Sequence, residues 1–295
     1  MDFPPVEERR IHSFDGTELA YHVYGDGPPV LLCNGLGGSW KAWVHQMRHL
    51  GGRYRFVSWD YRGMYRSGAP RDDRALRVVD HALDGLAVMD AEGIDRAALF
   101  GWSMGVQVAL EIFRASPERV AALVFLNGVA GRTFSSVLNV PALSHVIPPM
   151  LRGIGSIPTI AEAFTRTVVA RPEAVKMVKG VGLAAASLDE SVFEALAGSF
   201  AELDMARYMR ILEQLGEHDA HDLLSSVDVP TLVVAGDRDV LTPRPAVERM
   251  ARRIRGADFL AIPGGTHYVA VEYPELVSLR IEKFFEERGY GARNA

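Results

Sequence analysis

An α/β fold with a mostly parallel sheet, interrupted by a helical insertion, is predicted by two features of the sequence. Short apolar runs alternate with helical segments up to residue 126, and the alternation resumes at residue 231. Continuous apolar runs are typical of parallel strands that are buried on both faces. Between Arg132 and Leu224 the runs give way to prolines and helix-period segments. We therefore predict a core domain formed by residues 1–130 and 225–295, with a helical cap at 131–224.

The individual elements follow from apolar runs bounded by turn residues. An N-terminal hairpin is expected from Arg10 to Tyr24, because Asp15-Gly16 is a strong two-residue turn. The strands predicted after it are Val30–Cys33, Arg55–Trp59, Ala97–Phe100, Val120–Leu126, Thr231–Ala235 and Phe259–Ile262. The predicted helices are Trp40–Leu50, Asp73–Glu92, Met104–Ala115, Glu190–Phe200, Asp204–Leu215, Pro245–Arg255 and Pro274–Arg288.

Composition narrows the class of protein. The 295 residues are 48% hydrophobic and 23% charged, with a net charge of −5, which indicates a folded globular chain. We expect no nucleic-acid partner, because no basic stripe is present. No apolar run approaches the roughly 18 residues of a membrane span, so stable membrane insertion is not expected. The single cysteine, Cys33, and the absence of a secretory pattern in the first ten residues favour the cytoplasm.

The strongest chemical signal is the segment Gly101-Trp102-Ser103-Met104-Gly105, which lies between a predicted strand and a predicted helix. A sharp strand-to-helix turn needs small residues on both sides of the serine, and it presents the serine oxygen clear of the sheet. The start of the following helix also offers unpaired N–H groups to a developing oxyanion. Ser103 is therefore the predicted nucleophile.

A serine nucleophile needs a base that is held in place by a third group. His267 follows the last predicted strand, and so lies in a loop at the same sheet edge as Ser103. The loop after the preceding strand offers two carboxylates, Asp237 and Asp239. Asp239 lies further into that loop and is the predicted partner of His267, whereas Asp237 is expected to fix the turn.

The oxyanion donors are expected in two places: the residue after the nucleophile and the loop after the first parallel strand. These are the backbone N–H groups of Met104 and Leu36. Asn34, Gly35 and Trp102 are the predicted supporting or substrate-binding residues around them. No cofactor is expected, and the phosphate-binding Walker pattern is absent from the sequence.

Three other segments bear on function. His218-Asp219-Ala220-His221-Asp222 resembles a metal cluster by composition but lacks a recognisable zinc spacing, so no metal is predicted. The apolar, proline-broken segments Val137–Leu143 and Val146–Leu151 suit either a pocket lining or the core of the cap. A hydrophobic substrate is expected if they line the site.

Together, these motifs resemble the α/β-hydrolase fold family, and specifically its capped serine hydrolases. The segments that carry the resemblance are Asn34-Gly35, Asp60-Tyr61-Arg62-Gly63, Gly101 to Gly105, Gly236 to Asp239 and Gly265-Thr266-His267. The resemblance implies an eight-stranded, mostly parallel sheet flanked by helices, with the cap inserted after the sixth strand. It also implies that Ser103, Asp239 and His267 form a catalytic triad. Ser103 argues against the epoxide hydrolases and haloalkane dehalogenases of the family, which use an aspartate there.

The sequence departs from the family pattern at two positions. Asn34 stands where the family often has histidine, and enol-lactone hydrolases and some esterases resemble this sequence at that position. The Asn34 side chain is expected to hold the oxyanion loop by hydrogen bonds. Tyr65 stands where a second glycine is usual, which predicts a reshaped loop near the site.

The predicted activity is hydrolysis of a small carboxylic ester or lactone by a monomer or homodimer. Three alternatives remain open at this point. They are a carbon–carbon bond hydrolase of a vinylogous diketone, a cofactor-free haloperoxidase or perhydrolase, and a small-molecule receptor without efficient turnover.

Overall fold

The computed structural model describes residues 3–132, 179–180 and 184–291. Within them the sheet has eight strands: β1 Glu7–His12, β2 Glu18–Tyr24, β3 Pro29–Cys33, β4 Arg55–Trp59, β5 Ala97–Trp102, β6 Val120–Leu126, β7 Thr231–Gly236 and β8 Asp258–Ile262. Their spatial order is β1-β2-β4-β3-β5-β6-β7-β8. β1 and β2 pair antiparallel, as do β2 and β4, and every other pairing is parallel. The predicted α/β fold class is confirmed.

Helices cover both faces of the sheet. Their bounds are α1 Val44–Leu50, α2 Val78–Ala91, α3 Met104–Ala115, α4 Glu190–Phe200, α5 Met205–Glu217, α6 Arg244–Arg253, α7 Val269–Glu272 and α8 Pro274–Glu287. Alternate strand residues face opposite sides. Leu31 and Leu99 therefore pack in one buried cluster with residues of α2, α3 and α6, while Leu32 and Phe100 pack in the other with residues of α1 and α8.

Several element bounds differ from the prediction. β1 begins at Glu7, where the pairing with β2 starts opposite Val23, and it ends before the Asp15-Gly16 turn. The helix predicted from Asp73 begins at Val78, because Asp80 in its first turn accepts a hydrogen bond from the backbone N–H of Arg77 and so caps the helix there. The segment predicted as one helix from Trp40 opens with a 3₁₀ turn, Trp40–Trp43, before α1.

The described part of the region between β6 and β7 is helical. Asp189 and Asp204 cap the starts of α4 and α5 with their carboxylates, which accept hydrogen bonds from backbone N–H groups of the first turn. The segments Val137–Leu143 and Val146–Leu151 lie outside the described residues. Among the residues that are described, we find no helix with the length and apolar character needed to cross a bilayer.

The parallel arrangement brings five loops to one edge of the sheet. β3, β5, β6, β7 and β8 are consecutive parallel neighbours, so the residues that follow them all leave the sheet at its carboxyl edge. The chain places Leu36, Ser103, Asn127, Asp239 and His267 in these five loops.

Candidate active site

Ser103 occupies a strained turn between β5 and α3. Its φ of 56° and ψ of −118° lie in a region that non-glycine residues rarely adopt. The turn is held by the Ser103 backbone N–H, which donates to the Leu126 carbonyl oxygen at 3.1 Å. A Cβ on Gly101 would lie 2.7 Å from the Gly105 carbonyl oxygen, and one on Gly105 would collide with the Cys33 carbonyl oxygen. Small residues are thus required on both sides of the predicted nucleophile.

His267 and Asp239 form a buried hydrogen-bonded pair. The distance from His267 Nδ1 to Asp239 Oδ2 is 2.8 Å, and the two side chains are 8% and 0% exposed. Since an ionised carboxylate only accepts hydrogen bonds, Nδ1 carries the proton and donates it. Nε2, the other ring nitrogen, is the atom that a base role would use.

The Asp239 carboxylate is surrounded by further donors. Oδ1 accepts from the backbone N–H groups of Leu241 and Thr242 at 2.8 and 3.0 Å, and Oδ2 accepts from the Thr242 hydroxyl at 2.6 Å. Burial raises the pKa of Asp239, but His267 and Thr242 outweigh burial and hold it below its ordinary value. The carboxylate is therefore ionised and acceptor-only at neutral pH.

Asp237, the other carboxylate of this loop, is exposed and accepts a hydrogen bond from the Gly264 backbone N–H at 2.7 Å. It is not the carboxylate that bonds to His267. Its contact joins the loops after β7 and β8.

Asn127 is a part of the site that sequence reasoning missed. Its Nδ2 donates to Asp239 Oδ2 at 2.7 Å and to the Thr266 carbonyl oxygen at 3.0 Å. The side chain is fully buried, and the backbone φ is 46°. Asn127 thereby links the loops that follow β6, β7 and β8. The Asn127-Gly128 dipeptide directly after a buried strand was the available signal.

Glu272 was also missed. From α7 its carboxylate accepts hydrogen bonds from the Thr266 backbone N–H at 2.7 Å and from the Ala185 backbone N–H at 2.8 Å. It is 2% exposed. The buried carboxylate thus ties the loop that carries His267 to a residue that precedes α4.

Trp102 lies between the predicted oxyanion loop and the predicted base. Its indole N–H donates to the His267 carbonyl oxygen at 2.9 Å. On the other side, a Cβ added to Gly35 would come within 2.9 Å of the Trp102 ring. The ring therefore packs directly against the backbone of the loop after β3.

Asn34 is buried at the base of that loop, and both ends of its amide are bonded. Nδ2 donates to Ser58 Oγ at 3.0 Å and to the Trp59 carbonyl oxygen at 3.1 Å. Oδ1 accepts from the Trp43 indole N–H at 3.0 Å. The side chain thus fixes the end of β3 to β4 and to the 3₁₀ turn.

Leu36 and Met104 carry the predicted oxyanion donors. Leu36 lies in a tight turn that is closed by the Gly38 backbone N–H, which donates to the Gly35 carbonyl oxygen at 2.8 Å. Met104 is the first residue of α3, where backbone N–H groups have no partner within the helix. The side chain of Met104 is buried in the core.

The histidine and aspartate residues of the possible metal cluster are engaged in other contacts. His218 bonds to Glu111 at 2.8 Å, His221 bonds to Asp219, and Asp222 pairs with Arg114. Within the described part of the chain, no group of three or more metal-ligating side chains is present. Cys33 is buried at the end of β3, and burial raises the pKa of its thiol well above the ordinary value.

Comparison with known proteins agrees with this architecture. The model of the alpha/beta hydrolase fold family matches residues 28–274, and the chain belongs to that family. "Putative carbamate hydrolase RutD" of Azorhizobium caulinodans is 27% identical over 260 residues, which cover 88% of this chain and 92% of that protein.

Two solved structures have the same fold. A thermophilic esterase from Thermogutta terrifontis superposes with a TM-score of 0.76 at 22% identity, covering 96% of this chain and 99% of the esterase. The enol-lactonase from Burkholderia xenovorans superposes with a TM-score of 0.73 at 20% identity, covering 94% of this chain and 100% of the lactonase.

Proposed function

We propose that this protein is a serine hydrolase of small carboxylic esters or lactones, with Ser103, His267 and Asp239 as its catalytic triad. The observation that carries the proposal is the strained Ser103 at the same sheet edge as the buried His267–Asp239 pair. Strain of this kind persists where the surrounding structure enforces it, and it is often found at reactive sites.

The proposed reaction has two steps. The Ser103 oxygen attacks the carbonyl carbon while His267 Nε2 takes the hydroxyl proton, and the backbone N–H groups of Leu36 and Met104 bind the oxyanion. His267 then gives the proton to the departing alkoxide, which leaves an acyl-serine. Water, deprotonated by His267, hydrolyses the acyl-serine and restores the enzyme. No metal or cofactor takes part.

A hydrophobic substrate is supported by apolar side chains around the loops of the site. Val240 and Leu241 follow Asp239 directly and are 36% and 40% exposed. From the cap side, Phe193 of α4 packs edge-on against Tyr268, next to His267, with ring centroids 5.4 Å apart. An acyl or alcohol group of modest size would lie among these side chains.

Carbamate hydrolysis is a second candidate, because relatives that match most of the chain are named for it. A carbamate carbonyl would be attacked by the same serine, but the nitrogen makes the carbonyl less electrophilic. Turnover of p-nitrophenyl acetate beside p-nitrophenyl N-methylcarbamate separates the two candidates. A higher kcat/KM for the carbamate would favour the second.

The proposal is tested by hydrolysis of p-nitrophenyl esters from acetate to long acyl chains. We expect Ser103→Ala and His267→Ala each to lose about 10⁴-fold or more in kcat. Ser116→Ala, at the opposite end of α3 from Ser103, is the matched serine control and should keep wild-type activity. Activity that survives Ser103→Ala would contradict the proposal. The absence of ester turnover in the wild-type protein would also contradict it. The next assays would then be turnover of a vinylogous diketone, perhydrolysis of acetate with peroxide, and ligand binding without turnover.

A further inference from the structure

We propose that Tyr65 is a positioning residue that holds the oxyanion loop in place through a hydrogen bond from its hydroxyl to the Gly37 carbonyl oxygen. This inference rests on the proposed function, since it assigns the loop that carries Leu36 to oxyanion binding. It also gives a physical account of the position where this sequence departs from the usual glycine.

The contact fixes one peptide unit at both of its polar ends. Tyr65 Oη donates to the Gly37 carbonyl oxygen, and the N–H of the same peptide unit, on Gly38, donates to the Gly35 carbonyl oxygen at 2.8 Å. Gly37 has a φ of 70°, which a tight turn requires at this position and which glycine adopts without strain. Leu36, the predicted donor, lies inside this turn, so the direction of its N–H depends on how the turn is held.

Tyr65 is itself held rigidly. Its loop is closed by the Ser67 backbone N–H, which donates to the Met64 carbonyl oxygen at 3.0 Å, and by the Ser67 hydroxyl, which donates to the Asp60 carbonyl oxygen at 2.6 Å. The same loop is anchored in the core by Arg62, whose guanidinium is fully buried and donates to Asp84 at 2.7 Å. The phenol therefore projects from a fixed support.

The backbone of Tyr65 indicates that the side chain is needed there. Its φ is 48°, a left-handed conformation that glycine adopts freely and a bulky residue adopts at a cost. Burial, with Asp60 nearby, raises the pKa of the phenol well above its ordinary value, so the hydroxyl stays protonated as a donor. Strain at a residue whose hydroxyl bonds to the predicted oxyanion loop is the pattern expected of a positioning role.

The cap encloses the same peptide from the other side. A Cβ on Gly37 would lie 2.7 Å from Phe200 and 3.1 Å from Tyr208, whose rings pack edge to face with centroids 5.0 Å apart. Lys41, just after the loop, donates to Ser199 at the end of α4 at 2.9 Å. The loop thus lies between Tyr65 of the core and an aromatic pair of the cap region.

The test uses Tyr65→Phe, which removes only the hydroxyl, and Tyr65→Gly, which also relieves the left-handed φ. Tyr54→Phe is the matched control, because Tyr54 also donates to a backbone carbonyl, that of Tyr290, at 3.0 Å. Two readouts are measured on the full chain. The first is amide hydrogen exchange over residues 35–41, which needs no substrate, and the second is kcat and KM for p-nitrophenyl acetate, with Ser103→Ala as the inactive reference.

We expect both Tyr65 variants to exchange the Gly38 amide, whose N–H closes the turn, roughly tenfold faster. We also expect them to lose roughly tenfold in kcat, as the loss of one hydrogen bond predicts, with KM nearly unchanged. Tyr65→Gly should lose activity even if it is the more stable variant, which a merely structural role would not produce. Unchanged exchange in Tyr65→Phe overturns the inference. If the wild-type protein has no esterase activity, the proposed function fails, while the exchange measurement still supports or overturns the role of Tyr65 in holding the loop.

Discussion

The Asp239 carboxylate accepts hydrogen bonds from residues that follow three different strands. Asn127 after β6 and His267 after β8 donate to the same oxygen, Oδ2. At metal sites, removal of a residue that orients a ligand typically costs roughly 10- to 100-fold in activity, and we expect an effect of similar size at the proposed triad. We expect Asn127→Ala to lower kcat by at least tenfold with little change in KM, as measured with p-nitrophenyl acetate. An unchanged kcat would show that Asp239 holds His267 without Asn127.

The pKa of Asp239 predicts a pH-dependent contribution to stability. Because its folded-state pKa lies below the ordinary value of 3.8, the ionised carboxylate stabilises the fold above that pH. This contribution is lost as the pH falls through the folded-state pKa. We expect Asp239→Asn to be less stable than wild type at pH 7 and the difference to shrink below pH 3.8, as measured by urea unfolding. Asp237→Asn is the control, and a difference that stays constant on acidification would contradict the account.

The sequence predicts a candidate residue in a loop when its position depends only on where one strand ends. Ser103 and His267 are of this kind. The Asn127-Gly128 dipeptide marks a turn, but its partner could not be predicted. The bonds of Asn127 to Asp239, of Glu272 to Ala185 and of Tyr65 to Gly37 each join segments that are distant in sequence. Such contacts require the strand order and register, which no local pattern contains.

At the scale of elements, the crossing of α3 over the end of β3 depends on Gly105. Any side chain there would collide with the Cys33 carbonyl oxygen, which belongs to backbone and cannot turn away. We expect Gly105→Ala to destabilise the protein by about 3 kcal/mol or more, as measured by chemical unfolding.

Gly198 offers the matched comparison, because it lies within α4 and an added Cβ would meet no atom within 4 Å. Gly198→Ala should stabilise the protein by about 0.5–1 kcal/mol, since alanine is the better helix former. Equal effects of the two substitutions would contradict the packing argument.

The elements that sequence patterns predicted best are those with long apolar runs or clear caps. β6 and α3 have the predicted bounds, Val120–Leu126 and Met104–Ala115. The one-turn helix α7 was missed, because four residues carry no measurable period. The predicted start of α2 was too early. The segment Asp73–Arg77 is compatible with a helix, but the cap that Asp80 forms with Arg77 sets Val78 as the first residue of α2.

At the scale of the whole molecule, the two ends of the region between β6 and β7 meet. The Arg132 backbone N–H donates to the His218 carbonyl oxygen at 2.8 Å, and the His218 ring bonds to Glu111 of α3 at 2.8 Å. Glu111 also pairs with Arg114, and it is 6% exposed. α3, which begins directly after Ser103, thus also anchors the point where the chain returns to the core.

The contact between Glu111 and His218 predicts a measurable effect on stability. Burial raises the pKa of Glu111, but His218 and Arg114 outweigh burial and hold it below the ordinary value of 4.5. Ionised Glu111 therefore stabilises the fold above that pH, and this stabilisation is lost on acidification through the folded-state pKa. We expect Glu111→Gln to lower the Tm by several degrees at pH 7, since hydrogen bonds to charged groups contribute about 1.5–3 kcal/mol.

The control for this change is Glu118→Gln, at an exposed position just beyond α3. The Tm of both variants and of the wild type is measured by thermal unfolding at pH 7 and at pH 4. The deficit of Glu111→Gln should narrow at the lower pH, and an equal Tm loss in both variants would contradict the proposed anchor.

The central claim, that Ser103 carries the acyl group during turnover, is tested most directly by intact-protein and peptide mass spectrometry. The protein is mixed with a slowly deacylating p-nitrophenyl ester and quenched with acid. The account predicts a mass increase of one acyl group on the peptide that contains Ser103, which disappears in Ser103→Ala and is retained in Ser116→Ala. Turnover without an adduct on Ser103 under single-turnover conditions, or an adduct on another residue, would contradict it.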